Sequence, residues 1–115
     1  MTEVMDVFKV LSDETRLRIM ILLYNKSLCV CQIQAVLEET QPKISKHLGK
    51  LRDLNFVQSK RLEQLMYYDI DDSNKLLIAL LEDVVHHLEK DATYMKDMHR
   101  LKHVDDYIQV KAFEV

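Results

Sequence analysis

A mainly helical fold carrying one small β-hairpin is predicted by three features of the 115-residue sequence. The chain has one glycine, one proline and no tryptophan, too few punctuating residues for a fold built of many turns. Apolar residues recur at helical spacing in successive segments before Phe56. Two β-rich runs then follow, Phe56–Leu62 and Leu65–Ile70, separated only by Glu63-Gln64, as in a hairpin. That turn has neither Gly nor Asn-Gly, so its geometry is left unassigned.

Each element has its own signal. Val4, Val7, Phe8 and Leu11 follow i, i+3, i+4, i+7 and predict a first helix, about 3–11. Ser12 is placed to cap the second, with Asp13 and Glu14 favourable in its first turn. The apolar stripe of that second helix is Leu17, Met20, Ile21 and Tyr24, and Asn25-Lys26-Ser27 breaks the pattern. Val30, Ile33 and Leu37 mark a short third helix. Pro42 suits a first helical position, with Thr40 or Gln41 before it as cap. The fourth helix therefore runs over about 41–54, with Asn55 as a left-handed stop. After the hairpin (about 56–70), Leu77, Leu80, Leu81, Val84 and Leu88 predict one long helix over about 73–103. Residues 104–115 carry no clear pattern.

Bulk properties narrow the functional classes. The length fits a single domain over 1–115. No apolar run approaches the ~18 residues that span a bilayer, so no membrane role is expected. The first six residues carry two acids and no basic cluster, which does not resemble a secretory signal; the expected compartment is the cytoplasm. No Gly-rich phosphate loop, metal-hydrolase motif or nucleophile triad is present, so neither an enzyme nor a small organic substrate is expected.

The net charge of −3 conceals an uneven distribution. The stretch 41–62 is +5 and the remainder −8. On the fourth helix Lys43, Lys46, His47 and Lys50 form one stripe, while Ile44, Leu48 and Leu51 form another about a third of a turn away. Ser45 and Gly49 lie on a third, small-residue side. A basic stripe alone fits a solvated helix face. Three helices followed by a hairpin, however, make the order of a winged helix-turn-helix. Its fourth helix enters the major groove of double-stranded DNA, where Gln41, Ser45 and His47 reach base edges and the lysines contact phosphates. Lys60 and Arg61 sit on the hairpin, the wing, beside the DNA backbone. The unpartnered stripes of the first and last helices predict a homodimer on a roughly palindromic operator.

Both cysteines lie in one tripeptide, Cys29-Val30-Cys31. Reduced thiols this close are more often a soft-ion or redox site than a structural disulfide. With this feature the sequence becomes recognisable. Leu11-Ser12-Asp13-Glu14-Thr15-Arg16-Leu17-Arg18-Ile19, Leu28-Cys29-Val30-Cys31-Gln32-Ile33 and Gln41-Pro42-Lys43-Ile44-Ser45-Lys46-His47-Leu48 together resemble the ArsR/SmtB family of metal-responsive repressors, over about residues 4–85. The nearest likeness is to its arsenite-responsive branch, which carries Leu-Cys-Val-Cys, usually followed by Asp; Gln32 stands here instead. The resemblance implies a homodimeric repressor released from its operator when arsenic(III) or antimony(III) binds Cys29 and Cys31. Some relatives add a third cysteine where this chain has Gln34, and cadmium- and lead-sensing relatives add an N-terminal one that is missing here. A two-thiolate site completed by hydroxide or an external thiol is the expectation. Residues i and i+2 point about 200° apart on a helix but share a face when extended. Ion binding should therefore require the first turn of the third helix to be extended or unwound.

Two alternatives remain within the class. The family's second site opens with Asp-x-His, a pattern broken here by Val85 two residues after Asp83. Even so, His86, His87, His99 and His103 lie in the predicted terminal helix, and His99 and His103, spaced i, i+4, are able to chelate zinc, nickel or cobalt. The thiol pair might otherwise answer to oxidant rather than ion, although Cys-x-Cys is tight for a disulfide.

Overall fold

The computed structural model describes residues 1–105; residues 106–115, which the single-domain expectation includes, lie outside it. The elements in chain order are α1 (Thr2–Leu11), α2 (Glu14–Asn25), β1 (Leu28–Cys29), α3 (Val30–Leu37), α4 (Gln41–Asp53), β2 (Val57–Leu62), β3 (Leu65–Ile70), α5 (Lys75–His87) and α6 (Ala92–Lys102). With α3 and α4 packed together and a hairpin following them, the fold is a winged helix-turn-helix.

The core centres on α2, which packs against α1, α3, α5, α6 and β3. Its sequence stripe understated its role, because a helix surrounded on several sides buries more than one face. Thr15, Ile19, Met20, Ile21, Leu22 and Leu23 are all buried. The cap also differs from expectation. Asp13, not Ser12, accepts the Arg16 backbone N–H at 3.0 Å, while the Ser12 hydroxyl turns back to donate to the Lys9 carbonyl at 2.8 Å. The bond from Arg16 is the main reason the Asp13 carboxyl sits below its ordinary pKa. An Asp13→Ala variant is expected to lose about 1 kcal/mol of stability. Because the folded pKa is depressed, that contribution is present above the unfolded carboxylate pKa and fades as pH falls through the folded one. Denaturant midpoints of the two proteins should therefore converge in acid.

Two helix ends use left-handed residues. Asn55 (φ 63°) follows α4, as its sequence position predicted, and Glu38 (φ 56°) ends α3. In the hairpin turn Glu63 takes φ 58°. The hairpin strands pair antiparallel from Val57↔Ile70 to Leu62↔Leu65. One strand was not foreseen: β1 adds to β3, with Leu28 opposite Tyr68 and Cys29 opposite Tyr67, giving a three-stranded sheet in the order β1-β3-β2. Two residues are too few to show any periodicity.

The single long terminal helix is corrected to two. The Leu88 N–H still bonds back to Val84 and Val85, but Asp91 then caps α6 by accepting the Tyr94 N–H at 3.0 Å. The break lets α6 fold back onto α2 and α3. There the Arg18 guanidinium grips both carboxylate oxygens of buried Asp97, each at 2.9 Å. Arg100 donates to the Ala35 carbonyl (3.3 Å) and pairs with Glu38 (3.1 Å), and Lys96 meets Glu38 at 2.7 Å. Leu77 and Leu81 of α5, expected to await a partner, are buried within this chain instead. No helix among the described residues is long and apolar enough to cross a membrane.

Candidate nucleic-acid interface and thiol site

Helix α4 is anchored by Ile44, Leu48 and Leu51, all fully buried, which fixes the direction of its remaining faces. Gln41, Lys43, Lys46 and Lys50 are exposed, while Ser45, His47 and Gly49 are half-buried. A Cβ placed on Gly49 would meet nothing within 4 Å, so the surface there is open. The Gln41 amide donates to the Ser45 hydroxyl at 2.9 Å, joining the two as one polar unit on the first turn. Lys43 is partly committed, paired with Glu39 at 3.2 Å.

His47 stands apart from the stripe in which its sequence position put it. It is half-buried, and burial lowers its pKa; Arg16, Lys43 and Lys46 add to that, against Asp13. Its imidazole thus lies within the field of the α2 N-terminus. Lys60 and Arg61 are both exposed on β2. As neighbours on a strand they project from opposite faces of the hairpin.

The cysteines straddle a boundary. Cys29 is the last residue of β1 and the N-cap of α3, with extended backbone (φ −87°, ψ 167°), while Cys31 is already helical. The extended residue turns the two side chains together, and their Sγ atoms lie 2.8 Å apart. The expected unwinding of α3 is therefore unnecessary: the helix starts one residue late enough to supply the convergence. Gln32, the departure from the arsenite-branch pattern, has a local role, since its side-chain oxygen accepts the Cys29 backbone N–H at 3.1 Å and holds the cap. Cys29 is buried and Cys31 half-exposed. Burial, followed by the hydrogen bond with Cys31, pushes the Cys29 thiol up to about 11. A close pair of soft sulfur donors, one of them half-exposed, suits a thiophilic ion.

A pocket of about 320 Å³ lies over the thiols. Val30 and Gln34 of α3, Gln41 at the start of α4, and Gln64, Leu65 and Met66 at the hairpin tip line it with the cysteines. The sequence gave no sign that the first residue of α4 and the tip of the wing would meet at Cys29 and Cys31; the unforeseen β1–β3 pairing brings them together. A larger cavity of about 610 Å³ lies between α1, the end of α4 and the start of α5. Glu3, Asp6 and Asp53 line it, and it shares no residue with the thiol pocket.

The histidines are divided by the break between α5 and α6. His86 pairs with Glu89 (3.1 Å) and His87 lies 3.8 Å from Asp83, both exposed. On α6, His99 and His103 stack edge-to-face with centroids 5.2 Å apart. Among the described residues no three His, Cys, Asp or Glu side chains gather into a cation site.

The sequence was compared with known proteins. The family described as "Bacterial regulatory protein, arsR family" matches residues 13–59, from the α2 cap into β2. The arsenic resistance transcriptional regulator ArsR2 of Pseudomonas putida is 45% identical over 67 residues, covering 57% of this chain and 58% of that protein. The uncharacterized HTH-type transcriptional regulator MJ1325 of Methanocaldococcus jannaschii is 38% identical over 81 residues, covering 69% of this chain and 91% of that one. Among solved structures, the antimony-specific transcriptional repressor AntR superposes with a TM-score of 0.67 at 28% identity, over 77% of this chain and 79% of that one. The chain spans 54–63% of the length of the three arsenic-resistance regulators it matches. These relatives are transcriptional regulators, not enzymes. With this sequence match and this winged-helix architecture, the chain belongs to the ArsR family of bacterial regulatory proteins.

Proposed function

We propose that this chain is a metalloid-responsive repressor: a homodimer that holds operator DNA through α4 and the wing and lets go when arsenic(III) or antimony(III) bonds to Cys29 and Cys31. The observation that carries the reading is the thiol pair, 2.8 Å apart, in a pocket that also contains the first residue of α4. An ion joining the two sulfurs acts on the side of the pocket that borders Gln41. A ligand shifts a two-state protein only by its preference for one state, so the ion must fit the released geometry better than the DNA-bound one. In the bound state Gln41 and Ser45 face base edges, with His47 beside them at the α2 end. Lys43, Lys46 and Lys50, with Lys60 and Arg61, hold phosphates.

Titrating the complex with operator DNA tests this. Arsenite is expected to release wild type, while Cys31→Ser binds the operator equally well but needs at least tenfold more arsenite for release. Undiminished release from Cys31→Ser would end the thiol reading. The pH dependence identifies the ion. Arsenous acid condenses with two thiols, breaking two As–O bonds, forming two As–S bonds and giving two waters with no net proton. A divalent cation must instead expel both thiol protons. Release by arsenite is therefore expected to vary little between pH 6 and 8, whereas the apparent affinity for a divalent metal would rise by up to about a hundredfold per pH unit.

The homodimer belongs to the same proposal. Val4, Met5 and Phe8 of α1 and Leu76 of α5 are exposed apolar side chains, Phe8 at 50%. A second copy covering this face would bury them. Phe8→Glu is expected to leave a folded monomer by sedimentation and to reduce operator affinity at least tenfold. An unchanged dimer would place the interface elsewhere.

A further inference from the structure

We propose that the pocket over the thiol pair is built for trivalent arsenic carrying one organic substituent, with the substituent seated among Val30, Leu65 and Met66. This rests on the reading above that Cys29 and Cys31 bond the inducer, and it names the class of inducer. It departs from the sequence expectation that no organic molecule enters the function.

Three observations lead here. First, the valences do not close with sulfur. Arsenic(III) makes three bonds, the chain contains two cysteines in all, and the other polar side chains lining the pocket are the amides of Gln34, Gln41 and Gln64. Two As–S bonds leave one bond pointing into the pocket. Second, the space is far larger than a hydroxide needs. The volume, about 320 Å³, falls at the lower end of the ~300–1,000 Å³ of small-molecule sites. A third ligand the size of one water leaves most of it unfilled. Third, the hairpin tip is apolar where a phosphate-contacting wing has no use for it. Leu62 and Leu65 face one another across the last rung, 47% and 38% exposed, and Leu65 and Met66 form one wall of the pocket. An organic group on arsenic would cover Leu65 and remove apolar surface from water, an interaction unavailable to arsenite.

The bonding step balances. A mono-organyl arsenic(III) dihydroxide loses two As–O bonds and gains two As–S bonds. The thiol protons leave on two waters, the As–C bond stays intact, and arsenic remains trivalent throughout. No oxidant or reductant is required.

The test compares phenylarsonous acid, methylarsonous acid and arsenite as releasing agents for labelled operator duplex, each scaled to its affinity for a free small dithiol. That scaling removes the preference any pair of thiols would show. Wild type is expected to favour the phenyl compound over arsenite at least tenfold beyond the free-dithiol ratio, with the methyl compound between them. Leu65→Asn and Met66→Gln, made separately, are each expected to reduce that excess at least threefold while responding to arsenite as wild type does. Both substitutions are polar exchanges on a solvent-facing hairpin, and unchanged operator affinity without inducer reports an intact fold. If wild type shows only the free-dithiol ratio, the pocket proposal is overturned and the thiol reading stands. If the excess survives both substitutions, the wing does not hold the substituent and the proposal is likewise overturned. If none of the three compounds releases DNA, or if Cys29→Ser is released as readily, the thiol reading itself fails.

Discussion

Replacing Asp97 with Asn is expected to destabilise the fold by about 3 kcal/mol. The carboxylate is almost fully buried and takes two 2.9 Å hydrogen bonds from Arg18, 79 positions earlier in the chain. Removing its charge leaves a guanidinium among apolar neighbours with half of its partners missing. Such losses run to about 3–5 kcal/mol, and the lower figure is used because the Arg18 side chain keeps 19% exposure. For a domain of this size the melting temperature should fall by roughly 12–24 °C. Urea melts at unchanged slope check it. Replacing both partners with apolar residues of similar shape, Arg18→Met with Asp97→Leu, should recover most of the loss. A drop below about 1 kcal/mol for Asp97→Asn would mean that water screens the pair as it does a surface one.

Operator affinity is expected to fall at least about a thousandfold between 50 and 200 mM salt. Lys46, Lys50, Lys60 and Arg61 give four exposed cations per chain, eight in a dimer. With each phosphate contact contributing about −0.9, the slope of log affinity against log salt should be near −7. Lys46→Ala should flatten it by about 2, one contact in each subunit. Lys43→Ala should do less, because Lys43 is already paired with Glu39 at 3.2 Å. Fluorescence anisotropy at four salt concentrations would show this, and a slope near zero would reject DNA binding through this surface.

Periodicity and punctuation made α4 and the hairpin legible. Pro42 marked a helix start, Ile44, Leu48 and Leu51 marked a buried stripe, and Asn55 takes the left-handed conformation expected of it. What stayed hidden depended on contacts distant in sequence or on very short elements. Nothing local to Arg18 announces Asp97. Two residues, Leu28 and Cys29, cannot display a strand pattern, yet their pairing with β3 determines what surrounds the thiols. The stripe from Leu77 to Leu88 ran on toward Met95 and Met98, and only the capping bond of Asp91 shows where the helix ends. At the cysteines the helical-wheel argument was sound, but it placed the boundary wrongly. Cys29 lies outside the helix, so an i, i+2 pair converges.

The short ladder between β1 and β3 has a consequence for how such a protein changes over generations. Because Cys29 is bonded into the sheet that forms the wing, and Gln41 closes the pocket, the parts that choose an operator and the part that answers a signal are not separable cassettes. Transplanting α4 and the wing from a relative, to redirect this chain to another promoter, would replace part of the wall around the thiols. New genomic addresses and new chemical sensitivities should therefore arise together in this lineage, and chimeras exchanged at the helix boundary should inherit both.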